Sequence, residues 1–323
     1  MAFRLLDTHA HLVSDDWDAY PPRSFGPGLP TPERTRFTVT AEDLIQMMDA
    51  NGVAQACLVQ RGHIYGYDNS YILDSADRYP DRLFPVVILD VQDKETPAAY
   101  RALVRDGRAY GFRMAQSRPW LLDTAWMSSP IAMQVWDACA DAGTPMTLIV
   151  FNNHLSYVLP LIKVLAERYP ELPVILDHAG THYGASQYEV ALAAETGSAI
   201  PAPPAPDYGI DSTIRIFEDV PNVHFKITEI NMERFDKAGV SAADFVRRMI
   251  DTFGEERLVW GSDVGQSRLW NYEQKVAMAW GAAELLSEAE ARKFLHDNAG
   301  RIYRFDPAPA SKSPTILPAG NLP

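Results

Sequence analysis

The sequence predicts an α/β protein built as a single (β/α)8 TIM barrel. Short apolar segments alternate with longer amphipathic segments along most of the 323 residues. Two of the short segments, FPVVIL from Phe84 and MTLIVF from Met146, lack polar alternation, which indicates strands covered on both faces, as in a parallel sheet. Eight such segments, each followed by a helical pattern, match the eight β/α units of a barrel.

The strands are predicted from these apolar segments. Pro145 and Pro173 stand directly before two of them, where the preceding helix must already have ended. A doubly wound open sheet is the competing fold, but it usually carries a Gly-rich phosphate loop after its first strand, and Asp7–Leu12 contains no glycine. We therefore favour the barrel. The predicted strands are Phe3–His9, Ala54–Gln60, Leu83–Leu89, Tyr110–Ala115, Met146–Phe151, Val174–His178, Val223–Glu229 and Leu258–Asp263.

The amphipathic segments between the strands predict the helices. Ser241 and Ser287 each precede an acidic residue three positions later, a pattern typical of a helix N-terminus, although Asp244 fits a capping box less well than Glu290 does. The predicted helices are Ala41–Asn51, Ser70–Tyr79, Thr96–Asp106, Pro130–Ala142, Leu155–Tyr169, Asp211–Asp219, Ser241–Phe253, Asn271–Ala279, Ser287–Phe294 and Asn298–Tyr303.

Two long loops interrupt the alternation. Ser14–Thr40 is rich in proline and follows the first strand, and Thr196–Tyr208 follows the sixth. In a barrel both lie on the face where the strands end and the substrate binds, although the second is equally well explained as a plain surface loop. Asp306–Pro323 is rich in proline and alanine and has no core of its own. We predict a barrel domain over residues 1–305 and a tail over 306–323.

The composition limits the classes of protein that fit. The net charge is −13, and an acidic surface repels phosphate backbones, so we expect no nucleic-acid partner. Cys57 and Cys139 both lie in apolar segments, which argues against disulfides and for a reducing compartment. No apolar run approaches the ~20 residues of a membrane span. The first strand begins at once, without a signal peptide, so we expect a cytoplasmic protein that acts on a small molecule, and a homo-oligomer is compatible with the sequence.

Polar residues gather at the carboxyl ends of the predicted strands. His9 and His11 alternate on the first strand and so share one face, about 6–7 Å apart at Cα. Taken singly, a histidine at a strand end is usually structural, and Asp263 has the position of a helix N-cap. In a barrel, however, these ends surround one pocket. The other polar residues there are Arg113 on strand four, His178 on strand six, Lys226 and Glu229 on strand seven, and Asp263 on strand eight.

The motifs DTHAH, GFRMA, ILDHAG, WGSD and DNAGRIY occur in this order along the chain. In them the chain resembles the amidohydrolase-related (amidohydrolase 2) family of the amidohydrolase superfamily, and within it the 2-pyrone-4,6-dicarboxylate and sugar lactonases. The resemblance extends from Phe3 to about Phe305. It implies a (β/α)8 barrel with a reaction centre formed by His9, His11, His178 and Asp263.

The chain departs from the wider superfamily in its metal ligands. That superfamily often has a Lys or Glu bridging two metals on strand four and a histidine on strand five. Here strand four offers Arg113 and strand five ends in Phe151, with His154 three residues later, so we do not expect a binuclear centre. One zinc held by His9, His11 and Asp263, with or without His178, is one alternative. Metal-free catalysis is the other, because a lactone is already activated relative to an amide.

The resemblance and the residues together predict the hydrolysis of a cyclic ester. Asp263 would take the proton of the attacking water, and the histidines or a zinc would polarise the carbonyl. Arg113 can clamp a substrate carboxylate, with an ion pair to Glu229 as the structural alternative. Arg118 is a second candidate clamp. Further candidate substrate contacts are Tyr65, Tyr67 and Asn69 in the loop after strand two, where Asn69 can instead cap a helix, together with His182 and Lys226.

Two other functions remain open from the sequence. The first is a zinc-dependent non-oxidative decarboxylase of the same family, which would usually carry a ligand histidine on strand five. The second is a barrel that binds a ligand without catalysis, which the incomplete set of metal ligands permits. The presence of all four central groups favours an enzyme, and the missing histidine favours hydrolysis.

Overall fold

The computed structural model describes residues 3–26, 28–116, 123–150, 155–180, 195–197, 210, 214–237, 240–266 and 270–305. These residues form one sheet of eight parallel strands, in which each strand pairs with the next in chain order. Every strand is buried along its whole length, which accounts for the absence of polar alternation in the sequence. The predicted (β/α)8 barrel is confirmed. The strands are β1 Leu5–Ala10, β2 Val53–Val59, β3 Leu83–Val87, β4 Gly111–Met114, β5 Met146–Leu148, β6 Val174–Leu176, β7 Val223–Thr228 and β8 Leu258–Gly261.

A seam between β8 and β1 closes the sheet into a barrel. The amide of Asp263 donates to the carbonyl of His9 at 2.7 Å, and the amide of His11 donates to the carbonyl of Val264 at 2.8 Å. Ala10 and Val264 form an isolated parallel bridge at the same place. The first and last strands are thus joined beyond the end of β8, at the carboxyl end of the barrel.

Several strands end earlier than predicted. β6 stops at Leu176, and Asp177–Gly180 forms a 3₁₀ turn in which His178 has a φ of +54°. Left-handed backbone cannot continue a strand, so His178 lies in the turn that follows β6. β7 stops at Thr228, and Glu229 is the first residue of a helix.

The barrel is filled and closed at its amino end by the C-terminal helix. Ile302 and Tyr303 of this helix pack in one buried cluster with residues from the strands, including Leu6 and Cys57. The Asn298 amide donates to the carbonyl of Leu258, the first residue of β8, at 2.9 Å. Among the described residues, this end is therefore closed by packing, and the polar side chains gather at the carboxyl end.

The predicted helices are present, with some differences at their ends. Of the predicted Asp211–Asp219, the structure describes a 3₁₀ helix over Ile214–Phe217, and residues 211–213 lie outside the described part. Within the described part of the chain, three α-helices were not predicted: Gly62–Tyr65, Ala125–Ser128 and Glu229–Lys237. The remaining helices are Ala41–Ala50, Ser70–Arg78, Thr96–Arg105, Pro130–Ala142, Leu155–Arg168, Ala242–Phe253, Tyr272–Ala282, Glu288–Arg292 and Asn298–Tyr303, with a π-helical turn at Lys293–Asp297.

The long loop after β1 is confirmed. Its described residues contain no helix, and an antiparallel bridge between Val13 and Val39 holds its two ends together. Of the loop Thr196–Tyr208 only residues 196 and 197 are described, and the tail 306–323 lies outside the described residues. Among the described helices none has the length and apolar character needed to cross a bilayer.

Candidate active site

The seam between β1 and β8 brings His9, His11 and Asp263 together. One ligand atom from each lies within 4.8 Å of the other two, and all three residues are buried. His9 and His11 share a face because they alternate along the chain, and their rings meet edge to face with centroids 4.8 Å apart. The backbone bond from Asp263 to His9 places the carboxylate beside them.

Two glycines make this close approach possible. A Cβ added to Gly261 would lie 2.4 Å from the Cβ of His9. A Cβ added to Gly265 would lie 2.1 Å from the carbonyl oxygen of His11, and Gly265 has a φ of +83°, a region that favours glycine. Both belong to the segment WGSDVG around Asp263. The glycines therefore allow β8 and its following turn to lie directly against β1.

Asp7 fixes the seam from inside the protein. Its Oδ1 accepts from the amide of Ser262 at 2.8 Å and from the amide of His9 at 3.0 Å, while Oδ2 accepts from the Tyr272 hydroxyl at 3.0 Å. Burial raises the pKa of Asp7, and the hydrogen bonds from Ser262 oppose that rise. This carboxylate was not singled out from the sequence, although it is the first residue of the DTHAH motif.

The orientation of His11 shows what the site can hold. Its Nδ1 lies 2.7 Å from the carbonyl oxygen of Val59. Since a carbonyl only accepts, Nδ1 carries the proton and Nε2 of the neutral ring is bare. That Nε2 faces Oδ1 of Asp263 at 3.3 Å, and Nε2 of His9 lies 3.4 Å from the same oxygen. The bare Nε2 and the carboxylate oxygen are both acceptors, so their facing position requires a cation or a proton between them.

The donor set fits a divalent cation. Within the described ranges, Nε2 of His9 and both carboxylate oxygens of Asp263 are buried without a hydrogen-bond partner. Buried polar atoms are nearly always paired, so three such atoms in one cluster indicate a site suited to a bound cation. Imidazole nitrogen and carboxylate oxygen are ligands that zinc and similar divalent ions accept. Among the described residues, His9, His11 and Asp263 therefore form a candidate metal centre, and the ligand atoms of His178 lie outside this group of three.

A buried ionic cluster lies against the other side of His9. Asp177 accepts from Nε of Arg113 at 2.7 Å through Oδ2, and its Oδ1 lies 3.0 Å from Nζ of Lys226 and 3.4 Å from Nδ1 of His9. Burial alone would raise the pKa of Asp177, but Lys226 and Arg113 outweigh it and hold the pKa of that carboxyl well below its usual range. Asp177 was not identified from the sequence, where the only signal is a charge at the end of an apolar strand.

This cluster corrects the partner expected for Arg113. Arg113 pairs with Asp177, and Glu229 pairs with Lys275, another buried residue. The expectation placed Glu229 at the end of β7, facing the pocket. Because Glu229 instead begins a helix, its carboxylate lies near Lys275 in the neighbouring helix. Arg113 is therefore ion-paired, as the structural alternative expected, but its partner is Asp177 and not Glu229.

The three histidines are held in the neutral state. Burial is the main cause that lowers the pKa of His9 to about 3 and the pKa of His178 to about 3. The pKa of His11 lies well below its ordinary value, mainly through burial and also through the charge of Arg61. Neutral imidazoles are what metal ligation and proton acceptance both require.

His178 is positioned by the end of β7. Its Nδ1 lies 2.7 Å from Oγ1 of Thr228, and its carbonyl accepts from the Asn231 amide at 3.0 Å. The ring centroid lies 5.3 Å from that of His9. The left-handed backbone of His178, and of Asp263 at φ +54°, is strained for a residue with a Cβ, and such strain often occurs at functional sites.

The other predicted contacts fall into three groups. Tyr65 and Asn69 are buried and hold the backbone: the Tyr65 hydroxyl accepts from the Ser14 amide at 2.8 Å, and the Asn69 side chain bonds both backbone groups of Ile88. Lys226 is fully buried beneath His9, whereas Tyr67 is half-buried with its ring 5.2 Å from that of Phe25. Arg118, His154 and His182 lie outside the described residues.

The fold and the site together define a (β/α)8 barrel with a candidate metal centre at its open end, formed by His9 on β1, His11 directly after β1 and Asp263 just after β8. The chain belongs to the amidohydrolase family, whose sequence model matches residues 6–305. The resemblance expected from the motifs is confirmed. The protein is therefore an enzyme of the amidohydrolase superfamily.

Similar proteins cover nearly the whole chain. It is 28% identical over 328 residues to the L-fucono-1,5-lactonase of Burkholderia ambifaria, covering 95% of this chain and 97% of that protein. A crystal structure of a probable 2-pyrone-4,6-dicarboxylic acid hydrolase from Acinetobacter baumannii, with citric acid bound, has a TM-score of 0.65 at 17% identity, covering 94% of this chain and 100% of that one. The manganese-bound 5-carboxyvanillate decarboxylase of Novosphingobium aromaticivorans has a TM-score of 0.61 at 16% identity, covering 94% and 96%. These two structures establish the similarity of the fold.

Proposed function

We propose that the protein is a lactonase that opens the cyclic ester of a polyhydroxylated sugar lactone. Two observations support the substrate class. The similarity to the L-fucono-1,5-lactonase extends over 95% of the chain. Arg113, the residue expected to clamp a substrate carboxylate, already donates its Nε to Asp177. A lactone without a carboxylate needs no second anion on this guanidinium, so it is the substrate class that we test first.

The facing acceptors of His11 and Asp263 are the observation that carries the proposal. Val59 fixes the proton of His11 on Nδ1, so the bare Nε2 and the carboxylate oxygen 3.3 Å away converge on one point at the open end of the barrel. A divalent cation bound by His9, His11 and Asp263 would act as a Lewis acid on the lactone carbonyl. We propose zinc as the first metal to test, with metal-free catalysis as the alternative.

Asp263 would act as the general base. Its carboxylate accepts a proton from the water whose oxygen attacks the carbonyl carbon. When the bond from that carbon to the ring oxygen breaks, the same proton is returned to the ring oxygen, which leaves as a hydroxyl. The product is the open-chain hydroxy acid, and the protein returns to its starting state.

His178 would stabilise the carbonyl oxygen as it gains charge. The Thr228 hydroxyl lies 2.7 Å from Nδ1 of His178 and 3.4 Å from Oδ1 of Asn231. When Thr228 donates across the shorter contact, the neutral ring carries its proton on Nε2 and can donate it to the oxyanion. Tyr67, Arg118 and His182 remain proposed substrate contacts.

The test is a comparison of substrates followed by acid release. Purified protein is assayed with sugar 1,5- and 1,4-lactones, with carboxylated lactones and with aromatic carboxylates, and the spontaneous hydrolysis rate is subtracted. We expect acid release that saturates with a sugar lactone and that is lost in Asp263→Asn. A kcat/KM at least about tenfold higher for a carboxylated lactone would refute the sugar lactone as the substrate class.

The same assay separates the decarboxylase alternative. Release of CO2 from an aromatic carboxylate, without acid release from any lactone, would show that the family resemblance points to the lyase branch. The similarity to a decarboxylase structure at 16% identity concerns the fold and does not favour that reaction.

A further inference from the structure

Nδ1 of His9 lies between two groups that can form a hydrogen bond with it only in opposite directions. Nδ1 of His9 is 3.2 Å from Nζ of Lys226 and 3.4 Å from Oδ1 of Asp177. An ammonium group can only donate, whereas a carboxylate can only accept. Nδ1 therefore either accepts a hydrogen bond from Lys226 or donates a hydrogen bond to Asp177, but it cannot do both.

The choice determines what the opposite nitrogen can do. When Nδ1 donates to Asp177, Nε2 of the neutral ring is bare and can bind a cation. When Nδ1 accepts from Lys226, Nε2 carries the proton and directs it at Oδ1 of Asp263, 3.4 Å away. In that state the proton occupies the place of the cation, and His9 is not a ligand.

His11 has no such choice, because its Nδ1 faces the carbonyl of Val59 at 2.7 Å. Its Nε2 is bare in both states. The candidate metal centre thus has one ligand with a fixed tautomer and one ligand whose tautomer depends on the buried pair beneath it.

We propose that Lys226 and Asp177 are positioning residues that set the tautomer of His9 and thereby switch the site between a cation-binding state and a proton-bridged state. The two residues form a direct ion pair at 3.0 Å, and both are fully buried. Water is therefore excluded and cannot replace either residue as the hydrogen-bond partner of Nδ1. Carboxylates that orient a ligand histidine through its other nitrogen are a general feature of metal sites. What this chain adds is a lysine competing for the same nitrogen.

Arg113 supplies a matched control for charge. Like Lys226 it is a buried cation that pairs with Asp177, but its contact is with Oδ2 and it has no hydrogen bond or ion pair to His9. Lys226→Met and Arg113→Met each remove one positive charge from the same cluster. Only the first removes a donor to Nδ1 of His9.

The experiment reads the tautomer directly in the metal-free protein. Histidine is labelled with ¹⁵N, the signals of His9 are assigned by their loss in His9→Gln, and the two-bond ¹H–¹⁵N correlations distinguish Nδ1–H from Nε2–H. We expect the Nε2–H form in the metal-free wild type and the Nδ1–H form after addition of Zn²⁺. A metal-free wild type that contains only the Nδ1–H form would overturn the proposal, and this result needs no variant.

Metal affinity gives the second readout. Zn²⁺ binding is measured by competition with a chromophoric chelator at fixed pH. Lys226→Met should shift His9 to the Nδ1–H form and bind Zn²⁺ at least about tenfold more tightly than Arg113→Met, whose His9 spectrum should match the wild type. Equal Zn²⁺ affinities in the two variants, with unchanged His9 spectra, would mean that only the lost charge affects binding. This result would contradict the proposed switch.

The inference rests on the proposed metal site and not on the reaction. If the tautomer changes as expected while no lactone is hydrolysed, the proposed function fails and the switch stands. If a lactone is hydrolysed while the tautomer of His9 never changes, the switch fails and the proposed function stands.

Discussion

The amide of Asp263 donates to the carbonyl of His9 across the seam that closes the barrel, at 2.7 Å. His9 and Asp263, which are far apart in the sequence, are therefore held together by a backbone hydrogen bond that does not depend on their side chains. The side chains at the seam, including the carboxylate of Asp263, then have little freedom to move apart. A change in side-chain chemistry here can be tested without a change in geometry.

The first prediction concerns that carboxylate. Asp263→Asn keeps the shape of the side chain but removes the base, so we expect turnover of the best lactone to fall by about 10²- to 10⁴-fold. The circular dichroism spectrum and the thermal midpoint should stay close to those of the wild type. Asp18→Asn, at a side chain that is 94% exposed, is the matched control and should be fully active. Retention of most of the activity in Asp263→Asn would show that Asp263 is not the base.

The second prediction tests the close approach at the seam. Gly265→Ala forces a Cβ to 2.1 Å from the His11 carbonyl oxygen at a positive φ, so we expect the free energy of unfolding to fall by at least about 1–2 kcal/mol, together with a loss of activity. Gly281→Ala is the control, because a Cβ there meets no atom within 4 Å inside the helix Tyr272–Ala282. It should raise the free energy of unfolding by about 0.5–1 kcal/mol. Urea denaturation measures the free energy of unfolding of both variants. If Gly265→Ala left this free energy unchanged, the close approach of Gly265 to His11 would be contradicted.

The barrel could be predicted from the sequence because each strand is a local apolar segment between helix signals. The convergence of His9, His11 and Asp263 followed from topology, since closing the barrel brings the first and last strands side by side. The ends of β6 and β7 could not be predicted in the same way. The left-handed turn at His178 and the helix that begins at Glu229 depend on contacts with neighbouring strands, which local propensity does not contain.

The buried ion pairs were the part of the site least accessible from sequence. Arg113 was correctly placed at the end of β4, but its partner depends on which acid faces it across the barrel. Asp177 does so because β6 stops one residue before it, and Lys226 reaches it from β7. A sequence shows which charges lie near strand ends, whereas their pairing is determined by where each strand stops.

The third prediction concerns the stability of that cluster. Asp177→Asn leaves Arg113 and Lys226 buried without their counter-charge, and breaking a buried pair in this way costs about 3–5 kcal/mol. Combining it with Lys226→Met should be less destabilising than the sum of the two single changes, with a coupling of about 0.5–3 kcal/mol. A double-mutant cycle from urea denaturation measures this. Strict additivity would show that Asp177 and Lys226 do not interact as the structure describes.

The fourth prediction uses a histidine outside the site. Burial first, and then the charges of Arg301 and Arg257, lower the pKa of His224 to about 3, against an ordinary value near 6.5. The folded protein therefore binds a proton at His224 less readily than the unfolded chain does. As pH falls from about 6.5 towards 3, the unfolded state takes up more protons and the free energy of unfolding decreases.

Replacing His224 with Gln removes this loss without touching the candidate active site. The variant has its own packing cost at neutral pH, which we take as the baseline. Relative to that baseline, the free energy of unfolding of the variant should exceed that of the wild type by about 2–3 kcal/mol at pH 4.5. The reason is that the wild type loses about 1.4 kcal/mol of this free energy for each pH unit below the pKa of His224 in the unfolded chain. Urea denaturation of both proteins at pH 7 and pH 4.5 gives the comparison. A difference between the two proteins that is the same at both pH values would mean that His224 protonates as readily in the folded state as in the unfolded chain.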